Sequence, residues 1–189
     1  MSYKLFLSTD INTFSLSDAL EQISPERREK ALKFRFEQGQ RECVLAYLLL
    51  KQALREEYGI DANPRLTEQP DGKPVLADYP HIHFNLSHCK EAVACVIGDE
   101  PVGVDVERVG RYSESLAHYV LSSEEVSKVE ATDSPDREFI RLWTKKEALL
   151  KLTGEGIRDN LKSVLSRTDV TFDVQEYETF VCTVCRYQC

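Results

Sequence analysis

Asp105 and Glu107 flank Val106 in the run VGVDVE, residues 102–107. In a strand, residues i and i+2 share a face, so both carboxylates point the same way. Like charges this close repel unless something positive stands between them. A hard cation such as Mg²⁺ suits the pair, because it takes oxygen ligands and needs few from the protein. The plainer alternative is a solvated strand end with two ordinary acids. A second grouping lies in FIRLWTKKEALLK, residues 139–151. Trp143, Glu147 and Lys151 follow at four-residue spacing, so a helix sets them along nearly one line. An acid after a tryptophan on a partly buried face is unusual. The bland account is an i,i+4 Glu–Lys surface pair worth a few tenths of a kcal/mol.

Ser87 and His88 lie in FNLSHC, residues 84–89. They offer a hydroxyl and an imidazole where a strand opens into a loop, a frequent place for binding. A lone histidine without metal spacing is more often structural. Basic material gathers in residues 27–41, with Arg27, Arg28, Lys30, Lys33, Arg35 and Arg41 against Glu29 and Glu37. Lys73 sits in a Gly-Lys-Pro turn. Each is a phosphate contact or a solvated cation by chemistry alone. Cys182 and Cys185 form a C-x-x-C with Cys189 beyond. The segment reads as a strand with no second pair nearby, so these are ordinary strand thiols rather than a zinc or redox site.

The elements that must position these groups are partly visible. Residues 3–8 read as a first strand. Ser24-Pro25-Glu26 starts a helix, with Ser as cap and Pro at the first helical position. Residues 40–58 form a longer helix, apolar most of the way round and therefore central to the core. Loop-like sequence follows through Asp71-Gly72-Lys73-Pro74. Residues 82–86 and 92–97 read as strands. Residues 98–101 turn the chain, and residues 102–106 are expected to return as the second strand of a hairpin. Helix follows over 116–130, restarting at Ser122. A strong helix runs from Ser134-Pro135-Asp136 to about Leu152, closed by Gly154 and Gly156. Residues 170–174 and 179–187 are two more strands. Strands and helices without regular alternation predict an α+β fold.

The chain of 189 residues carries 24 basic and 32 acidic side chains, a net charge of 24 − 32 = −8. Its 42% hydrophobic and 30% charged residues exclude a disordered or collagen-like chain. No apolar run approaches the ~20 residues of a membrane span. The start MSYKLFLSTD lacks the apolar stretch of a signal peptide, and six cysteines at odd spacings read as reduced thiols, so a cytoplasmic protein is expected.

In order along the chain, ISPERREKALKF (residues 23–34), Arg41, GKP (72–74), FNLSH (84–88), VGVDVE (102–107) and WTKKEALLK (143–151) resemble the 4′-phosphopantetheinyl transferases. The closer match is the longer, monomeric type that activates surfactin synthetase. The resemblance implies two similar α/β halves related by a pseudo-twofold axis, residues 1–100 and 101–189, with coenzyme A in the cleft between them. It implies transfer of the phosphopantetheine arm of coenzyme A to a serine of an acyl or peptidyl carrier protein, releasing adenosine 3′,5′-bisphosphate. By residue match, Asp105, Glu107 and Glu147 would hold Mg²⁺, with Mn²⁺ as the alternative. Glu147 would be the base, and Lys151 would meet the leaving phosphate. Lys73, Ser87 and His88 would contact nucleotide phosphates, and Arg27, Lys30 and Arg41 would add contacts at the nucleotide end. The implied protein is a monomer with no nucleic-acid or membrane partner. Glu42 is a departure, standing where relatives can carry a small hydroxyl residue.

Elementary chemistry agrees with this assignment. Displacement at a pyrophosphate needs positive charge at the bridging oxygens and acids to hold it. A serine hydroxyl needs a base to take its proton. Two rivals use the same residues. One is an inactive relative that binds without transfer; the other is a Mg²⁺ phosphohydrolase.

Overall fold

The computed structural model describes residues 3–156 and 161–188. The first part runs β1 (Tyr3–Ser8), α1 (Leu16–Glu21), α2 (Pro25–Leu32), α3 (Glu37–Tyr58), β2 (Leu66–Glu68), β3 (Pro74–Leu76), β4 (His83–His88) and β5 (Val93–Gly98). The second runs β6 (Val102–Arg108), α4 (Glu114–Val120), α5 (Ser123–Glu130), α6 (Pro135–Thr153), a 3-10 helix (Leu161–Ser166), β7 (Val170–Glu176) and β8 (Phe180–Tyr187). This is the expected α+β mixture. Local chemistry accounts for several boundaries. Ser24 caps α2 by accepting from the Arg27 amide, and Pro25 takes the first turn, where a missing N–H costs nothing. Gly154 ends α6 at φ 75°, a left-handed conformation that glycine enters without a Cβ penalty.

Two antiparallel three-stranded sheets, β1-β5-β4 and β6-β8-β7, organise the chain. In each, the first strand lies at one edge and the last lies in the middle. Alternation along the strands assigns the faces. Val93, Cys95 and Ile97 pack with Leu45, Leu49, Leu50 and Leu54 of α3. Ala94 and Val96 face the other way, onto Val102, Val104 and Val106 of β6 and Cys182 and Val184 of β8. The far face of the second sheet lies under α6, where Phe139, Leu142, Leu149 and Leu152 pack with Val170 and Cys185. The layers are therefore α3, sheet, sheet, α6. The C-x-x-C is explained by the same alternation: three residues apart on a strand, Cys182 and Cys185 occupy opposite faces. Both thiols are buried, and burial pushes each up to about 12. Cys189 lies outside the described residues.

Residues 102–106 do not return along residues 92–97. The central strand β5 already pairs on both edges, with β1 and β4. No edge is left for β6, which pairs with β8 instead. Other elements differ from expectation as well. The loop-like stretch around Lys73 holds the short antiparallel pair β2–β3. The long helix starts at Glu37 rather than residue 40, and α1 precedes it. Among the described residues no helix is long and apolar enough to cross a membrane.

Candidate active site

The acidic strand and the long C-terminal helix meet because of Gly103. A Cβ built there would stand 2.1 Å from the Ala148 carbonyl oxygen and 2.6 Å from the Leu152 amide nitrogen. Only a glycine lets the backbones of β6 and α6 approach this closely. Gly103, Asp105 and Glu107 share the α6 side of β6, opposite Val102, Val104 and Val106. Trp143, Glu147 and Lys151 present the facing line of α6.

Lys151 Nζ donates to Asp105 Oδ1 at 2.7 Å and to Ser87 Oγ at 2.8 Å. Ser87 Oγ in turn donates to Asp105 Oδ1 at 2.9 Å and accepts from the Val106 amide at 3.2 Å. Among the described residues, Asp105 Oδ2 and Glu147 Oε1 are buried without a hydrogen-bond partner. Burial raises the Glu147 carboxyl pKa, and the Asp105 charge adds to the rise while Lys151 opposes it. Glu107 is pushed up to about 7, first by burial and then by Asp105. A hydrogen bond from the Trp143 side chain and the charge of Lys151 pull it back, and Glu147 raises it further. Glu107 and Glu147 thus both feel the Asp105 charge.

Among the described residues, no three His, Cys, Asp or Glu side chains stand close enough to hold a metal ion as placed. Lys151 is the cation that sits on Asp105. The donor chemistry nevertheless fits a hard divalent ion. Two buried carboxylate oxygens from different elements lack partners, and such atoms are costly unless a cation or donor meets them.

The expected phosphate contacts divide. Lys73 reaches this region: its Nζ donates to the Leu152 carbonyl at 3.0 Å, capping the C-terminal end of α6. Burial lowers its pKa, with Asp71 opposing. A cavity of about 300 Å³ opens here, lined by Lys73, Asn85, Glu147 and Lys151 among others. His88 pairs through Nδ1 with Glu42 Oε2 at 3.1 Å, so Glu42 has a partner of its own. Arg41 donates to Glu37 at 2.7 Å and to the Phe14 carbonyl at 2.8 Å. Arg27 donates to the Cys43 carbonyl at 2.8 Å and lies over the Tyr47 ring. Lys30 is exposed on α2. None of these last four lines the cavity that holds Glu147 and Lys151.

Two contributors were not singled out from sequence. Asn85 Oδ1 accepts the Val104 amide at 3.0 Å, and its position two residues before Ser87 was the available signal. Lys146 lies beside Glu147 yet is fully buried, donating to Glu125 Oε2 at 2.9 Å and to the Leu161 carbonyl at 2.7 Å. Nothing in K-K-E separates it from its exposed-looking neighbour.

Comparison with known proteins covers most of the chain. The family model for the 4′-phosphopantetheinyl transferase superfamily matches residues 101–185, and that for the 4′-phosphopantetheinyl transferase N-terminal region matches residues 12–99. The chain is 34% identical to 4′-phosphopantetheinyl transferase psf-1 of Bacillus pumilus over 155 residues, 78% of this chain and 66% of that protein. It is 33% identical to 4′-phosphopantetheinyl transferase Sfp of Bacillus subtilis over 138 residues, 71% of this chain and 62% of the relative. A third relative, 4′-phosphopantetheinyl transferase ffp of Bacillus subtilis, is 27% identical over 184 residues, 94% of this chain and 82% of its own length. The chain therefore spans just under two thirds of the length of the first two relatives.

Proposed function

Since the chain belongs to the 4′-phosphopantetheinyl transferase superfamily, we propose that it transfers the phosphopantetheine arm of coenzyme A to a serine of an apo acyl or peptidyl carrier protein. The holo carrier and adenosine 3′,5′-bisphosphate are the products. The observation that carries this reading is a pair of buried carboxylate oxygens without a partner among the described residues, Asp105 Oδ2 on β6 and Glu147 Oε1 on α6, with the Lys151 ammonium on the other oxygen of Asp105. We read the protein as a cytoplasmic monomer. Residues 1–100 and 101–189 are its two halves, related by a pseudo-twofold axis. The repeated strand order and the long helix outside each sheet support that division.

Asp105, Glu107 and Glu147 would hold Mg²⁺, or Mn²⁺ in its place. When bound, the ion neutralises charge on the pyrophosphate oxygens. The remaining work falls to this chain's own groups. Glu147 Oε1 is uncommitted and takes the proton of the carrier serine. An ammonium has three donors, and Lys151 uses two on Asp105 and Ser87, leaving one for the departing phosphate oxygen. Lys73, in the turn before β3, and His88, the last residue of β4, would contact the nucleotide phosphates.

Incubating the protein with Mg²⁺, a fluorescent coenzyme A and an apo carrier protein tests this. The expected result is covalent labelling of the carrier with one adenosine 3′,5′-bisphosphate released per label. Phosphate release without any carrier would establish the hydrolase instead. Binding of coenzyme A without labelling of any carrier would leave an inactive relative.

A further inference from the structure

Glu42 stands where relatives can carry a small hydroxyl residue, and in this chain it joins two elements. Gln38 Nε2, one turn earlier on α3, donates to Glu42 Oε1 at 2.8 Å. His88, the last residue of β4, pairs through Nδ1 with Glu42 Oε2 at 3.1 Å. Both carboxylate oxygens are thus engaged by donors. The Glu42 side chain is 13% exposed and that of His88 42%, so the acid is the buried holder and the ring is the group presented.

The hydrogen bond fixes the ring. A carboxylate only accepts, so Nδ1 carries a hydrogen. That leaves Nε2 as the second nitrogen, which has no partner among the described residues. A phosphate oxygen also only accepts, so Nε2 must carry a hydrogen when it meets one. With both nitrogens donating, the ring is an imidazolium. Glu42 stabilises that charge from behind, and the bond to the phosphate becomes charge-assisted. Coenzyme A carries a pyrophosphate and a ribose 3′-phosphate. The pyrophosphate goes with Glu147 and Lys151, whose cavity His88 does not line. The 3′-phosphate is the group left for His88. We propose that Glu42 is a positioning residue of the nucleotide end: it holds His88 by Nδ1 and commits Nε2 to the 3′-phosphate of coenzyme A. A direct hydroxyl contact is replaced by one made through the imidazole.

This rests on the transferase reading for the ligand, so its test needs no carrier protein. Binding of coenzyme A and of 3′-dephospho-coenzyme A, with Mg²⁺ present, is measured by calorimetry. The proteins are wild type, Glu42→Gln, Glu42→Ala, His88→Ala and the double variant of the two alanines. His88→Ala should weaken coenzyme A about tenfold, as for a hydrogen bond to a charged group. Glu42→Ala should weaken it about threefold or more, the value of one net hydrogen bond. Glu42→Gln keeps an acceptor without the charge and should fall between Glu42→Ala and wild type. Dephospho-coenzyme A should bind every variant as it binds wild type, because it lacks the group served. In the double variant the Glu42 change should add less than about twofold to the His88 change, as for two residues acting through one contact.

Tighter binding of coenzyme A by Glu42→Ala would overturn the proposal and make Glu42 an opponent of the phosphate. Unchanged affinity in Glu42→Ala would overturn it too, as would equal losses for the two ligands. A full Glu42 effect in the His88→Ala background, or equal affinity of wild type for the two ligands, would do the same. If Glu42→Ala does not fold by circular dichroism, Glu42→Gln carries the comparison, alone and combined with His88→Ala. A wild type that binds coenzyme A yet loads no carrier would refute the transferase reading while the Glu42 comparison still decides the positioning role. Absence of coenzyme A binding by wild type would refute both.

Discussion

The basic helices and the acidic strand-helix pair carry opposite charges and stand in opposite states. In the first region Arg27 and Arg41 donate to the chain itself, although the Arg27 Nε is buried without a partner among the described residues. Arg27 donates to the Cys43 carbonyl, and Arg41 to Glu37 and the Phe14 carbonyl. His88 leans on Glu42. In the second region two buried carboxylate oxygens are left over among the described residues. A cation with carbonyl partners stabilises structure; two partnerless carboxylate oxygens brought together from β6 and α6 are held at a cost. Charge content alone would have ranked the two regions the other way.

The largest expected effect is at the acidic strand. Asp105→Ala should lower loading turnover by roughly 100-fold or more, the several kcal/mol that a held metal supplies, with circular dichroism unchanged. Turnover within twofold of wild type would erase the distinction between the regions. Next is Glu147→Gln, which should reduce kcat by about 100-fold, as for a lost general base, while coenzyme A affinity by calorimetry is kept. Equal losses in both would reduce Glu147 to a ligand. Lys146→Met tests a cation of the acidic region whose donors are already committed. It leaves Glu125 in a buried setting and should destabilise the fold by about 3 kcal/mol in urea. Loss of transfer with full stability would instead place Lys146 in the chemistry. The smallest effect is expected from Arg41→Ala, about 2 kcal/mol of stability from hydrogen bonds to a charged group, with the KM for coenzyme A within about twofold. A tenfold rise in that KM would show that the basic region reaches the ligand after all.

What could be read ahead was what is local. Ser24-Pro25 and Ser134-Pro135 mark helix starts by their own backbone chemistry, and the line Trp143, Glu147, Lys151 follows from helical period alone. The D-x-E pair shares a face for the same reason. Strand partnership is not local. Residues 102–106 look like the return of a hairpin because a turn precedes them, and only the prior pairing of β5 on both edges forbids it. Arg27 and Arg41 donate to main-chain carbonyls, partners that no residue type announces. The carboxylate partner of Ser87 was equally hidden, because it lies 18 residues away on another sheet.

The chain has one tryptophan, Trp143, and its side chain hydrogen-bonds Glu107. The molecule therefore carries its own optical reporter on the acidic face. Emission excited at the red edge arises from that indole alone, and any ion or nucleotide that draws Glu107 away changes its polarity and its lifetime. Occupancy of the face can be watched in unlabelled protein, in real time, and apart from turnover.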